Sequence, residues 1–194
     1  MNIKLLVGLG NPGNQYLRTR HNVGFDLVDQ LAEQFAGRWQ LNSKYQAQLC
    51  ELRVHGHKLW LMKPQTFMNL SGKSVAGFCH FFKIPCQALA VAQDELALPP
   101  GTVKLKQGGG HNGHNGLKSI ISCLGNQNDF LRLRIGIGHP GAASEVSNFV
   151  LGKAPTSEQT LIDDAIAHAL THLPKLLTAP SQAMNQINGY QAKP

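Results

Sequence analysis

Residues 3–35 read IKLLVGLGNPGNQYLRTRHNVGFDLVDQLAEQF, and two different periods meet within them. Ile3 to Leu9 is a short apolar run closed by glycine and proline, the pattern of a strand covered on both faces. Further on, Leu27, Val28, Leu31, Ala32 and Phe35 recur at helical spacing, Asn22 stands where a cap belongs, and Gly37 stops the run. Strand, glycine-rich turn and helix in that order begin an alternation of strands and helices.

The rest of the chain repeats the alternation. Strands are expected near 46–54 and 58–62, joined by HGH, then a helix from Ser71 with Val75, Phe78, Cys79 and Phe82 on one face. ALAVAQDE reads as a buried strand ending at Asp94, and Val103–Lys106 as a half-exposed one. A helix resumes around Leu117–Leu124. In FLRLRIGIG, Leu131, Leu133, Ile135 and Ile137 face one side while Arg132 and Arg134 share the other. Thr156 and Gln159 fit a capping box before the helix that carries Leu161 to Leu170, and Pro174 kinks or ends it. The expected fold class is α/β: a single-domain α/β/α sandwich over residues 1–194 with a twisted mixed sheet. In such sheets ligands bind past the carboxyl ends of strands, and Asn11, Asp94 and the GGGHNGHNG loop all fall there.

A chain of 194 residues, 42% of them hydrophobic, can bury a core without staples. No apolar run approaches the ~18 residues of a membrane span, and MNIKLLVGLGNPG reads as a first strand, not a secretion signal. Cys50, Cys79, Cys86 and Cys123 are widely spaced without a CxxC pair, so reduced thiols and a cytoplasmic location are expected. Net charge is +7, and its placement is informative. Residues 52–134 hold ten Lys/Arg against three Asp/Glu, while the flanks nearly cancel. The excess in the middle points to a polyanionic partner, most simply nucleic acid.

GLGNPG matches GxGxxG letter for letter, yet Pro12 interrupts the turn, no helix opens at Gly13, and no acidic residue closes a second strand. His111 and His114 sit in a glycine loop and His55 and His57 in a hairpin, so neither pair has zinc-site spacing and no metal is expected. A GxSxG elbow is missing as well. General-base chemistry remains. His21 precedes a helix whose N-terminus disfavours the imidazolium, and a carboxylate on Nδ1 would oppose that and fix the tautomer. Asp94, beside Glu95, is the best-placed candidate. Asn11, Asn69 and Asn115 lie by turns or helix starts, either as turn formers or as amide dipoles around one carbonyl.

VGLGNPG with the following Tyr and TRHNVG, KPQTFMNLSGKSV, QDELALPPG, KLKQGGGHNGHNGLKSI, and LRIGIGHP followed by VSNFVLGK stand in one order across nearly the whole chain. In that order they resemble the bacterial peptidyl-tRNA hydrolase family. The resemblance implies a monomeric, cofactor-free enzyme that hydrolyses the ester joining a peptide to the terminal ribose of tRNA, with peptidyl-tRNA as its partner. It implies that His21 is the catalytic histidine, Asp94 its partner, and Asn11, Asn69 and Asn115 the asparagines of the site. Tyr16, Phe67, Met68 and His114 correspond to substrate-side neighbours, and Lys106 and Arg134 to the pair that binds the tRNA 5′ phosphate. Ala97 and Asn112 depart from the family's usual residues, which touches loop mobility and fine selectivity. Two other classes stay open: an RNA-binding module without catalysis, which leaves His21 and Asp94 idle, and a nucleosidase or phosphorylase of similar sheet architecture.

Overall fold

The computed structural model describes residues 2–193; residues 1 and 194, the ends of the expected domain, lie outside them. Seven strands form one sheet: β1 (Leu5–Gly8), β2 (Gln40–Asn42), β3 (Ala47–Val54), β4 (His57–Pro64), β5 (Leu89–Glu95), β6 (Val103–Gln107) and β7 (Leu131–Gly136). Their spatial order is β2-β3-β4-β1-β5-β7-β6. The four central strands run parallel, and the pairs β2–β3, β3–β4 and β6–β7 are antiparallel. The sheet is therefore mixed.

Alternation along the central strands feeds two cores. Leu6, Ala90, Ala92, Leu131 and Leu133 pack on the side of α1 (Val23–Gln34), α5 (Thr156–Thr171), α6 (Leu173–Thr178) and α7 (Pro180–Asn188). Leu5, Val7, Leu89 and Val91 face α2 (Ser71–Phe81) and α3 (Asn115–Cys123). A short α4 (Val146–Leu151) follows β7. Burial on both faces is why these strands read as continuous apolar runs. The chain leaves β1 for β2–β4 on one side and crosses through α2 to β5 on the other, so the crevice opens where that direction reverses.

Gly8 and Gly24 set how closely α1 approaches. A Cβ on Gly24 would lie 2.4 Å from the Ala92 oxygen and 2.4 Å from the Leu9 nitrogen. Lacking side chains, helix and sheet backbones touch, and the turn at Arg20–Asn22 that opens α1 sits at the level of the strand ends.

Two expected caps do not form. Asn22 makes no side-chain cap to α1; its carboxamide serves a loop, as described below. Pro155 takes the cap position of α5, so Thr156 lies inside the first turn, and the Gln159 amide turns forward to Asp163 at 3.0 Å. Pro174 instead opens α6 after α5 has ended at Thr171.

Candidate active site

The carboxyl ends of β1, β4 and β5 open into one cavity of about 650 Å³. The segment after β1 supplies Asn11 and His21, the 3₁₀ turn after β4 supplies Met68 and Asn69, and the end of β5 supplies Gln93, Asp94 and Glu95. The loop before α3 forms one wall, with His111, Asn112, His114 and Asn115, and α4 forms another through Val146, Val150 and Leu151.

Asp94 is buried and accepts two hydrogen bonds on one oxygen. His21 Nδ1 and His114 Nε2 each lie 2.9 Å from its Oδ1. On the far side of His114, Nδ1 accepts the backbone N–H groups of Gly116 at 3.1 Å and Leu117 at 3.3 Å, capping α3. That ring is therefore neutral with its proton on Nε2, because Nδ1 must keep a lone pair. The ring of His21 gives Nδ1–H to the carboxylate, which leaves Nε2 as its open lone pair.

Charge and burial compete here. Burial alone would raise the Asp94 carboxyl, but His21 and His114 hold it well below the usual carboxylate range, so it stays ionised. For His21, burial disfavours the imidazolium, and the charge and hydrogen bond of Asp94 outweigh it, raising the ring above 6.5. Of the two opposing influences expected on this ring, the helix N-terminus and a carboxylate on Nδ1, the carboxylate is the one in direct contact, and the ring is raised.

Asn11 is fixed at three points. Its backbone N–H donates to Asn22 Oδ1 and its carbonyl accepts from Asn22 Nδ2, both at 2.9 Å. Its own Oδ1 accepts the Met68 N–H at 2.8 Å. The remaining donor, Nδ2, is left for the cavity that Asn11 lines. Asn22 is thus a buried staple for the loop, a role its cap-like position concealed. Asn69 and Asn115 are exposed on the cavity wall.

Phe67 lies at the mouth, 59% exposed, with Met68 buried beneath it. His114 belongs to the hydrogen-bonded centre, not its rim. Tyr16 sits in the turn Asn14–Tyr16 and does not line the cavity. Lys106 and Arg134 both line it, on one face of β6 and β7. In register, however, Lys106 faces Arg132, and Arg134 Nε is held by Glu95 Oε2 at 2.8 Å. Strand parity had put Arg132 beside Arg134, but nothing in the sequence set it apart.

The nitrogens and oxygen of His21, Asp94 and His114 lie within 4.8 Å of one another and could in principle ligate a cation. Both nitrogens point at Oδ1 at hydrogen-bond length, so a metal there would have to displace two protons and rearrange the rings.

A parallel-centred α/β sheet with a buried Asp–His pair and convergent amide groups at its strand ends has the parts of a hydrolytic enzyme's site. The chain belongs to the peptidyl-tRNA hydrolase family, whose model matches residues 5–194. It is 51% identical over 191 residues to peptidyl-tRNA hydrolase of Tolumonas auensis (98% of this chain, 97% of that one). To the protein of that name from Edwardsiella ictaluri it is 53% identical over 193 residues (99% and 98%). The crystal structure of peptidyl-tRNA hydrolase from Acinetobacter baumannii superposes with a TM-score of 0.94 at 49% identity, covering 98% of this chain and 96% of that one. A crystal structure of a peptidyl-tRNA hydrolase with N-propanol gives 0.96 at 48% identity, covering 99% and 97%.

Proposed function

We propose that this chain hydrolyses the ester between a peptidyl group and the 3′ ribose of tRNA by general-base attack of water. What supports it most is the buried, ionised Asp94 holding Nδ1 of His21, which frees Nε2 beside a cavity lined with amides. His21 Nε2 takes a proton from water as the water oxygen bonds to the ester carbon. Asp94 stabilises the imidazolium without taking the proton. Asn11 Nδ2 and the Asn69 amide meet the developing oxyanion, while Asn115 holds the peptide. The imidazolium then returns its proton to the ribose oxygen as the carbon–oxygen bond breaks, giving a peptide acid and free tRNA. Phe67 and Met68 receive the peptide side, Tyr16 the tRNA side, and Lys106 with Arg134 the 5′ phosphate.

Incubation with N-acetyl-aminoacyl-tRNA in the presence of a chelator tests this. Free tRNA is the expected product; an intact ester with tight binding would replace the enzyme with an RNA-binding module.

A cytoplasmic monomer is our reading of the working form. No helix among the described residues is long and apolar enough to cross a membrane. Cys50, Cys79 and Cys86 are buried free thiols, with burial pushing Cys79 up to about 12. Light scattering at working concentrations tests the monomer.

A further inference from the structure

Arg132 is only 3% exposed, and it makes no ion pair among the described residues, since the nearby Glu95 is engaged by Arg134. Buried guanidinium groups are normally paired with acids, so another role is required of it. Its Nη1 donates to the carbonyl of Gly110 and its Nη2 to that of Gly109, while the plane stacks over Phe130 at 4.8 Å. Nε is buried without a partner, so the fork faces the loop alone.

The other bonds of that loop are local. Gly113 N–H donates to His111 Nδ1, and His114 N–H to the His111 carbonyl. Among the described residues, the two bonds from Arg132 are the hydrogen bonds that tie residues 109–113 to the rest of the chain. Gly109, Asn112 and Gly113 all have positive φ, so the loop has no regular structure to stiffen it. It nevertheless supplies a cavity wall through His111, Asn112 and Gly113 and runs directly into His114 and Asn115.

We infer that Arg132 is a positioning residue whose guanidinium fork docks the glycine loop and so places the wall that leads to His114 and Asn115. This rests on the hydrolytic role proposed for the site. An arginine spans two consecutive carbonyls with one rigid plane, which a lysine cannot do.

Arg132→Lys keeps the charge and loses the fork; Arg132→Met keeps the stem over Phe130 and loses both. Docking predicts that each lowers kcat by about 10- to 100-fold, because a misplacement of about 1 Å can cost that much. The Kd for uncharged tRNA should stay within about threefold and its salt slope unchanged for Arg132→Lys. Amide hydrogen exchange, which needs no turnover, should accelerate at residues 109–114 in both variants while β5 and β7 stay protected. A direct phosphate ligand would instead give Arg132→Lys near-wild-type kcat, and Arg132→Met a salt slope lower by about one. A merely structural arginine would give faster exchange throughout β7 with unchanged kcat per folded molecule. Either of those patterns overturns the docking role, whereas a wild type that leaves the ester intact overturns the hydrolase reading and leaves the exchange result standing.

Discussion

At the scale of the residue, the site is governed by one carboxylate oxygen shared between two imidazoles. Burial lowers His21 but Asp94 outweighs it and raises the ring above its ordinary value, so the base we propose would be lost as pH falls through that raised value. The acid limb of kcat/KM should therefore have its midpoint above 6.5. In Asp94→Asn only burial acts on the ring, and the midpoint should move below 6.5 while kcat falls. An unmoved midpoint would dissociate Asp94 from the base. For His114 two functions can be separated. Asparagine is a good N-cap but too short to span to Asp94, so His114→Asn should stay within about 1 kcal/mol of wild-type stability. Its kcat should still fall, read from initial rates beside a melting curve. Full activity would reduce His114 to a cap.

At the scale of the element, Gly8 and Gly24 let α1 touch the sheet, and the turn that carries His21 leads directly into that helix. Gly24→Ala forces a methyl against the Ala92 carbonyl and the Leu9 amide. Overpacking of this kind costs about 1–3 kcal/mol, and activity should fall further than the folded fraction. Gly77, exposed inside α2 with its nearest neighbour 3.8 Å away at Tyr45, is the control. Alanine there should stabilise by about 0.5–1 kcal/mol. Paired denaturation curves check both. Long elements with a clear period were legible in advance: β5, β7, α2 and α5 lie close to where periodicity put them. The short β2 was not, since Gln40–Asn42 is an edge strand largely open to solvent with no apolar run to mark it. The brief α4 lacks enough turns to show a period. Caps misled for a related reason: a serviceable cap residue says nothing about which partner its side chain finds, as Asn22 and Thr156 illustrate.

At the scale of the whole molecule, Lys106, Arg132 and Arg134, three basic residues from the positively charged middle of the sequence, line the cavity. His21 and Asp94 were visible from motif and strand position, as were the asparagines. Arg132 and the α4 wall were not, because they reach the cavity only through the packing of segments far from His21 and Asp94 in the sequence. Lys106 and Arg134 share a face of β6 and β7, and Arg134 has only its Nε committed to Glu95. A clamp for one terminal phosphate predicts that removing the 5′ phosphate raises KM for the wild type but hardly matters to Lys106→Ala/Arg134→Ala. Equal small effects in both, with affinity falling steeply with salt, would indicate a generic basic surface.

A single-turnover measurement on His21→Ala tests whether His21 is the base. With enzyme in excess over N-acetyl-aminoacyl-tRNA, cleavage should slow by about 10² to 10⁴ while tRNA affinity stays within a few-fold. A variant that cleaves at more than about a tenth of the wild-type rate would show that His21 is not the base.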